Sequence, residues 1–179
     1  DVVLIGEMRD HETIHAGLTI AETGHLAFAT LHTNSAAEAI NRIIDVFPSH
    51  QQAQVRAQLA FVLEGIITQT LLPRRQGKGR VMAMEILAVT PAIRALIRDD
   101  KIQQIDSMME SGKRRGMQPL NDALYPLSIA KEVSEDECLR VSGDPNEFLR
   151  MIGKTATDEA PSATAPARSG TGGPGAGRR

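Results

Sequence analysis

Apolar and polar positions along the chain switch between two periods. Val2-Val3-Leu4-Ile5 is an unbroken apolar run, three of its four residues β-branched, and it stops at Gly6-Glu7. Such a run suits a strand buried on both faces of a parallel sheet. Helical spacing follows: Asp10 is placed to cap a helix reaching about residue 23, with Ile14, Leu18 and Ala21 on one face. Strand character returns over 26–31. Ser35 and Glu38 then stand at capping-box spacing ahead of a helix that turns Ala36, Ala39, Ile40, Ile43 and Ile44 inward. Pro48-Ser49 breaks it and starts another over roughly 51–64. Residues 66–72 and 81–87 read as strands joined by 73–80, where Gly77-Lys78-Gly79 forms a hairpin turn. From Thr90 onward the pattern predicts only short helices, at 91–98, 119–130, 135–141 and 145–152.

Strands alternating with helical segments predict an α/β fold built on a parallel or mixed sheet. After Gly153, Ala, Pro, Ser, Thr and Gly dominate, too little apolar surface to order the chain, so 154–179 is expected to be a disordered tail. Composition narrows the picture further. The 179 residues are 41% hydrophobic but only 3% aromatic, without Trp, so the core must be aliphatic. One cysteine, Cys138, leaves no internal disulfide and no Cys cluster for zinc, as expected in the cytosol. A formal charge of -2 argues against nucleic acid as a partner, because neutralising phosphates requires a basic face. No charge-free apolar stretch approaches the ~20 residues of a transmembrane helix.

Three places carry candidate chemistry. Glu7 ends an apolar strand, which sets its carboxylate at the carboxyl edge of the sheet, where open α/β sheets bind ligands. This is the Walker B arrangement, in which the acid handles magnesium or the attacking water. His11-Glu12-Thr13-Ile14-His15 matches the zinc-peptidase pattern of two helical histidines with Glu12 as base. Its longer form wants Gly at 18 and His at 21, where Leu18 and Ala21 stand, and no third ligand is evident. His25 and His32 are an odd number of positions apart, so on one strand they would point to opposite faces and cannot form one metal site.

Two long motifs carry a resemblance. Val2 to Asp10, with Gly-Glu where Asp-Glu is usual, and Thr23-Gly24-His25-Leu26-Ala27-Phe28-Ala29-Thr30-Leu31-His32-Thr33-Asn34-Ser35-Ala36 resemble the Walker B and His-box signatures of the secretion and type IV pilus ATPases. Ala92-Ile93-Arg94-Ala95-Leu96-Ile97-Arg98-Asp99 resembles the box of the retraction (twitching motility) branch, departing only at Ala95. The paired-Cys zinc module usual in extension and secretion members is missing. The likeness covers residues 1–153.

The resemblance implies a partial RecA-like P-loop NTPase core over 1–90, a carboxyl-terminal helical region with the retraction-like box over 91–153, and the tail. It implies ATP and Mg2+ as cofactors and Glu7 as organiser of magnesium, through water, or of the attacking water. His25 and His32 would sense and position nucleotide, and Arg9 and Thr33 would lie toward it; pairing of Arg9 with a neighbouring acid is an equal expectation. Ala92, Ile93, Arg94, Leu96, Ile97 and Arg98 would couple hydrolysis to movement. The motor would be a homo-oligomer, in the family a hexamer, cytoplasmic and peripheral at the inner membrane, acting on the pilus platform protein.

No Gly-x-x-x-x-Gly-Lys-[Ser/Thr] occurs, and the chain opens on an apolar strand without Met. A fragment lacking its upstream phosphate loop is therefore expected, inactive as an ATPase by itself. The alternatives are a secretion or pilus-extension ATPase, a zinc metallopeptidase, and a non-catalytic interaction fragment.

Overall fold

A computed structural model describes residues 1–154. Except for Lys154, the tail expected at 154–179 lies outside the described residues. The order is β1 (Val2–Ile5), α1 (His11–Glu22), β2 (Leu26–Ala29), α2 (Ala36–Asp45), α3 (Ser49–Val62), β3 (Gly65–Pro73), β4 (Arg80–Ala88), α4 (Pro91–Arg98), α5 (Ile105–Ser111), α6 (Leu120–Ile129), α7 (Glu135–Val141) and α8 (Pro145–Met151). Short 3-10 turns at Ile102–Gln104 and Lys113–Arg115 flank α5.

Helix starts follow local chemistry. Asp10, Ser35, Thr90, Ser134 and Asp144 each accept a backbone N–H from three residues on, satisfying a donor that the first helical turn leaves orphaned. Glu38 completes a variant of the capping box by accepting from Asn34 N at 2.9 Å rather than from the cap residue itself.

The strands do not form one sheet. β1 and β2 pair in parallel, Val2 beside Leu26 and Ile5 beside Ala29, whereas β3 and β4 form a separate antiparallel hairpin. The expectation of one parallel or mixed sheet is corrected accordingly. Nor is β1 buried on both faces: Val2 is 67% and Leu4 78% exposed. α1 covers the other face of this pair, where Gly17 lets the helix approach, since a Cβ there would stand 3.0 Å from Ile5 Cδ1. The hairpin turns through Gly77 (φ +83°) and Gly79 (φ +98°), a backbone that other residues rarely adopt.

Burial divides into two apolar cores. The first joins Ile14, Ile40, Ile43, Ile44 and Leu59 to Leu87, Ile93, Ile97, Ile105 and Met109, so α1 to α5 share it. The second packs Leu72 and Ala83 of the hairpin against Leu120, Leu124, Val133, Cys138 and Phe148 of the last helices. All five residues expected on the inward face of α2 are buried. Each Ile removed wholly from water contributes roughly 2 kcal/mol, which is how a core this poor in aromatics is held. The 90/91 boundary drawn from sequence falls within the first core. Among the described residues no helix is long and apolar enough to cross a membrane.

Candidate functional site

Parallel pairing places the ends of β1 and β2 side by side. Beyond Ile5 and Ala29, the Thr30 hydroxyl donates to the Gly6 carbonyl and Met8 N donates to Thr30 O at 3.0 Å. The two strand ends are thereby fastened together. Glu7 and His32 consequently meet at the carboxyl edge, Glu7 Oε2 standing 3.5 Å from His32 Nε2. Arg9 Nε lies 2.5 Å from the other oxygen, Glu7 Oε1.

Hydrogen bonding from Arg9, and then the charges of Arg9 and His32, hold the Glu7 carboxyl below the usual carboxylate range despite some desolvation. The acid is therefore ionised at neutral pH, and its side chain is partly exposed. His32 itself has φ +50°, a left-handed conformation uncommon outside glycine. The strand ends at Ala29 instead of Leu31, and the turn at His32 leads the chain toward the cap of α2. Thr33 is half-buried in that turn.

His25 is elsewhere. It precedes β2, at the edge where Leu26 N donates to Asp1 O, and its Nδ1 lies 3.2 Å from the Thr23 hydroxyl. The length of β2 and its flanks, on the order of 15–20 Å, separates it from His32. Both histidines lie outside the four-residue strand, so opposite ends, not opposite faces, keep them apart.

In the first turns of α1 the His11 and His15 rings stack with centroids 6.1 Å apart and 6° between planes, and His11 meets Phe47 edge-on at 4.5 Å. Among the described residues, no three His, Cys, Asp or Glu side chains group to hold a metal ion.

The retraction-like box is α4. Thr90 caps it, Pro91 occupies its first turn, and Ile93 and Ile97 are fully buried, with Leu96 half-buried. Its two arginines differ. Arg94 donates to the carbonyls of Ala60 and Phe61 at 2.7 Å each and to Glu64 Oε1 at 2.8 Å, satisfying orphan carbonyls at the end of α3. Arg98 is exposed beside Asp99 at 3.5 Å, and Ala92 is exposed as well.

Sequence reasoning passed over Glu85, a buried acid in the inward row of β4. Its only signal was a charge alternating in register with the apolar Ala83 and Leu87.

The family model described as type II/IV secretion system protein matches residues 1–125. The chain belongs to this family. It is 47% identical over 148 residues to the type IV pilus retraction ATPase PilT of Pseudomonas aeruginosa, covering 83% of this chain and 43% of that protein. It is 50% identical over 127 residues to a twitching motility protein of Neisseria gonorrhoeae, covering 71% and 34%. A crystal structure of the pilus retraction motor PilT with bound ADP superposes with a TM-score of 0.74 at 47% identity, over 84% of this chain and 42% of that one. The ATPase DotB of Legionella pneumophila superposes at 0.66 with 25% identity, over 78% and 38%.

This member of the secretion family thus spans about two fifths of the relatives' length. Its strands and helices are consistent with part of a RecA-like α/β core. The Glu7, Arg9 and His32 cluster and α4 fall inside the family match, whereas α7 and α8 lie beyond it.

Proposed function

We propose that the chain is the carboxyl part of an ATP-hydrolysing motor subunit that drives type IV pilus retraction. The observation that carries the reading is the convergence of Glu7, Arg9 and His32 on one sheet edge in a chain 47% identical to a retraction ATPase. An ionised, partly exposed carboxylate supplies hard oxygen ligands suited to Mg2+ with waters retained. The residues present therefore fit magnesium handling, whereas the phosphate-cradling sequence does not occur among the 179 residues.

Bound ATP and Mg2+ would supply the γ-phosphoryl group and the charge that neutralises it. Within this chain Glu7 would hold the metal's waters or the attacking water, and His32 would donate to phosphate from its left-handed turn. Arg9 pairs with the Glu7 carboxylate and would lie next to phosphate together with Thr33. His25, at the far edge, acts on nucleotide only through β2 or from a neighbouring subunit. Residues 1–90 form the nucleotide half, and 91–153 carry the coupling box Ala92, Ile93, Arg94, Leu96, Ile97 and Arg98. The assembly is a hexameric ring at the cytoplasmic side of the inner membrane, working on the platform protein. The retraction branch is favoured over secretion and extension motors by the match at 92–98.

The test uses a full-length version carrying a P-loop. Glu7→Gln should retain nucleotide binding and lose about 10²-fold or more in turnover, the scale of removing one preorganised electrostatic group. Unchanged turnover would overturn the assignment. The 179-residue chain alone should show no magnesium-dependent hydrolysis.

A further inference from the structure

Glu85 stands where the two cores meet. On the inward row of β4 it lies between Ala83, in the second core, and Leu87, in the first, and opposite Thr68, which is also buried. It is 8% exposed, and no other Asp or Glu among the described residues is buried. The Ala36 N–H, at the first position of α2, donates to Glu85 Oε1 at 2.7 Å. A second, weaker interaction comes from the Leu120 N–H, which opens α6. The entry to α6 is itself fixed to β4 around Glu85: Ile86 and Gln118 exchange backbone hydrogen bonds at 2.8 and 2.9 Å, and Gln118 Nε2 donates to Met84 O at 2.8 Å. Asp106 of α5 faces the carboxylate unfavourably.

A buried carboxylate is an expensive filler, and an apolar side chain of similar volume would pack here without desolvation cost. What the carboxylate adds is direction, because it accepts from the amino end of α2 while its strand is paired, at the next residue, with the entry to α6, and the two helices belong to different cores. One of them, α2, begins four residues after His32, and Ser35 and Asn34 are already held by Glu38. Little slack remains in the tether between His32 and Ala36.

We propose that Glu85 is a positioning residue that ties the His32 turn, through the amino end of α2, to the amino end of α6, so that the Glu7–His32 edge and the carboxyl-terminal helices move together. This rests on the reading of His32 as a phosphate-side group.

NMR of the 179-residue chain tests the link without requiring activity. The variants are Glu85→Ala, Glu85→Gln and, as a control that removes an acid elsewhere, Glu132→Ala, which breaks the pair with Arg74. At fixed pH, Glu85→Ala should displace the His32 ring resonances while the control leaves them in place. Glu85→Gln should restore them, since its amide oxygen still accepts from Ala36. In the parent chain the Ala36 and Leu120 amides should titrate with one midpoint, and Glu85→Gln should abolish that transition, separating it from Asp106 and Glu38.

Should Glu85→Ala fail to fold, Ala36→Pro replaces it. Proline is tolerated at the first helical position and removes the donated N–H, its ring adding two carbons at a buried site, and Ser35 is already extended, as a residue before proline requires (φ −141°, ψ 162°). It too should displace His32. His32 resonances unmoved in the available variant, or moved equally by the control, overturn the inference, as do separate midpoints for the two amides. The motor reading fails separately, through Glu7→Gln.

Discussion

Arg94 holds Glu64 at 2.8 Å while the same guanidinium reaches the last carbonyls of α3. The retraction-like helix is therefore clamped to α3 by one side chain, not merely laid on the core by its apolar stripe. A fork of this kind uses geometry that lysine lacks.

Replacing Arg94 should be felt in stability. Arg94→Ala, and nearly as much Arg94→Lys, should cost about 1–2 kcal/mol in urea denaturation, the scale of hydrogen bonds involving a charged partner, reduced for partial exposure. Arg98→Ala should fall within about 0.5 kcal/mol of the parent, as exposed pairs contribute little. Equal losses from both arginines would contradict the clamp.

The two isoleucines and Leu96 separate packing from output. Ile97→Ala should destabilise by about 2–5 kcal/mol, because a fully buried side chain leaves a cavity. Polar replacement of Ile97 is thus no clean probe of motor coupling. Leu96, half-buried, is the better one: in a full-length protein Leu96→Asp should leave substantial ATPase activity and abolish twitching. Normal motility in that variant would remove α4 as the coupling element.

Arg9 should set how far the Glu7 carboxyl lies below its ordinary value. Arg9→Ala is expected to move the Glu7 carboxyl back up toward its ordinary value, measured by side-chain NMR titration. In the parent chain a lowered folded value means that its contribution to stability is present above the unfolded value and fades as pH falls through the folded one. The variant should lose that acid-side dependence.

Glu85 gives the opposite sign. Burial raises its value above the ordinary 4.5, opposed by the Ala36 N–H, so the folded chain holds this proton more tightly than the unfolded chain. Stability should decline as pH rises from about 4.5 through the raised value, and Asp106, also raised by burial, adds in the same direction. Urea midpoints against pH should show a shallower decline in Glu85→Gln.

Cys138 is 0% exposed, and burial, reinforced by Glu135 and Glu137, pushes its thiol up to about 11. It should resist iodoacetamide at pH 8 in the folded chain and react once denaturant is added.

What the sequence disclosed was local. Asp10 and Ser35 were legible as caps because a cap is chosen by its own side chain and the next three residues. Long-range pairing was legible only where a motif supplied it: Glu7 meeting His32 depends on β1 lying parallel to β2. Register, unlike spacing, also sent His25 to the far edge. The role of Arg94 stayed hidden, because nothing in Ile93-Arg94-Ala95 reveals the end of α3 beside it. Glu85 stayed hidden for the same reason, its partners being 49 residues before it in sequence and at the start of α6. The opening apolar run does describe a strand, but its count of neighbours is a property of the sheet, not of the four residues.

Val2, Leu4, Leu26 and Phe28 point the same way from the paired strands, and each is at least half exposed. Purified alone, the chain should bind phenyl resin and light up an apolar dye, and it should lose material to precipitation as concentration rises. Charged replacements at Leu4 and Phe28 would improve its handling, and because those side chains touch neither core, they offer a route to crystals or spectra that leaves the Glu7 edge chemically unaltered.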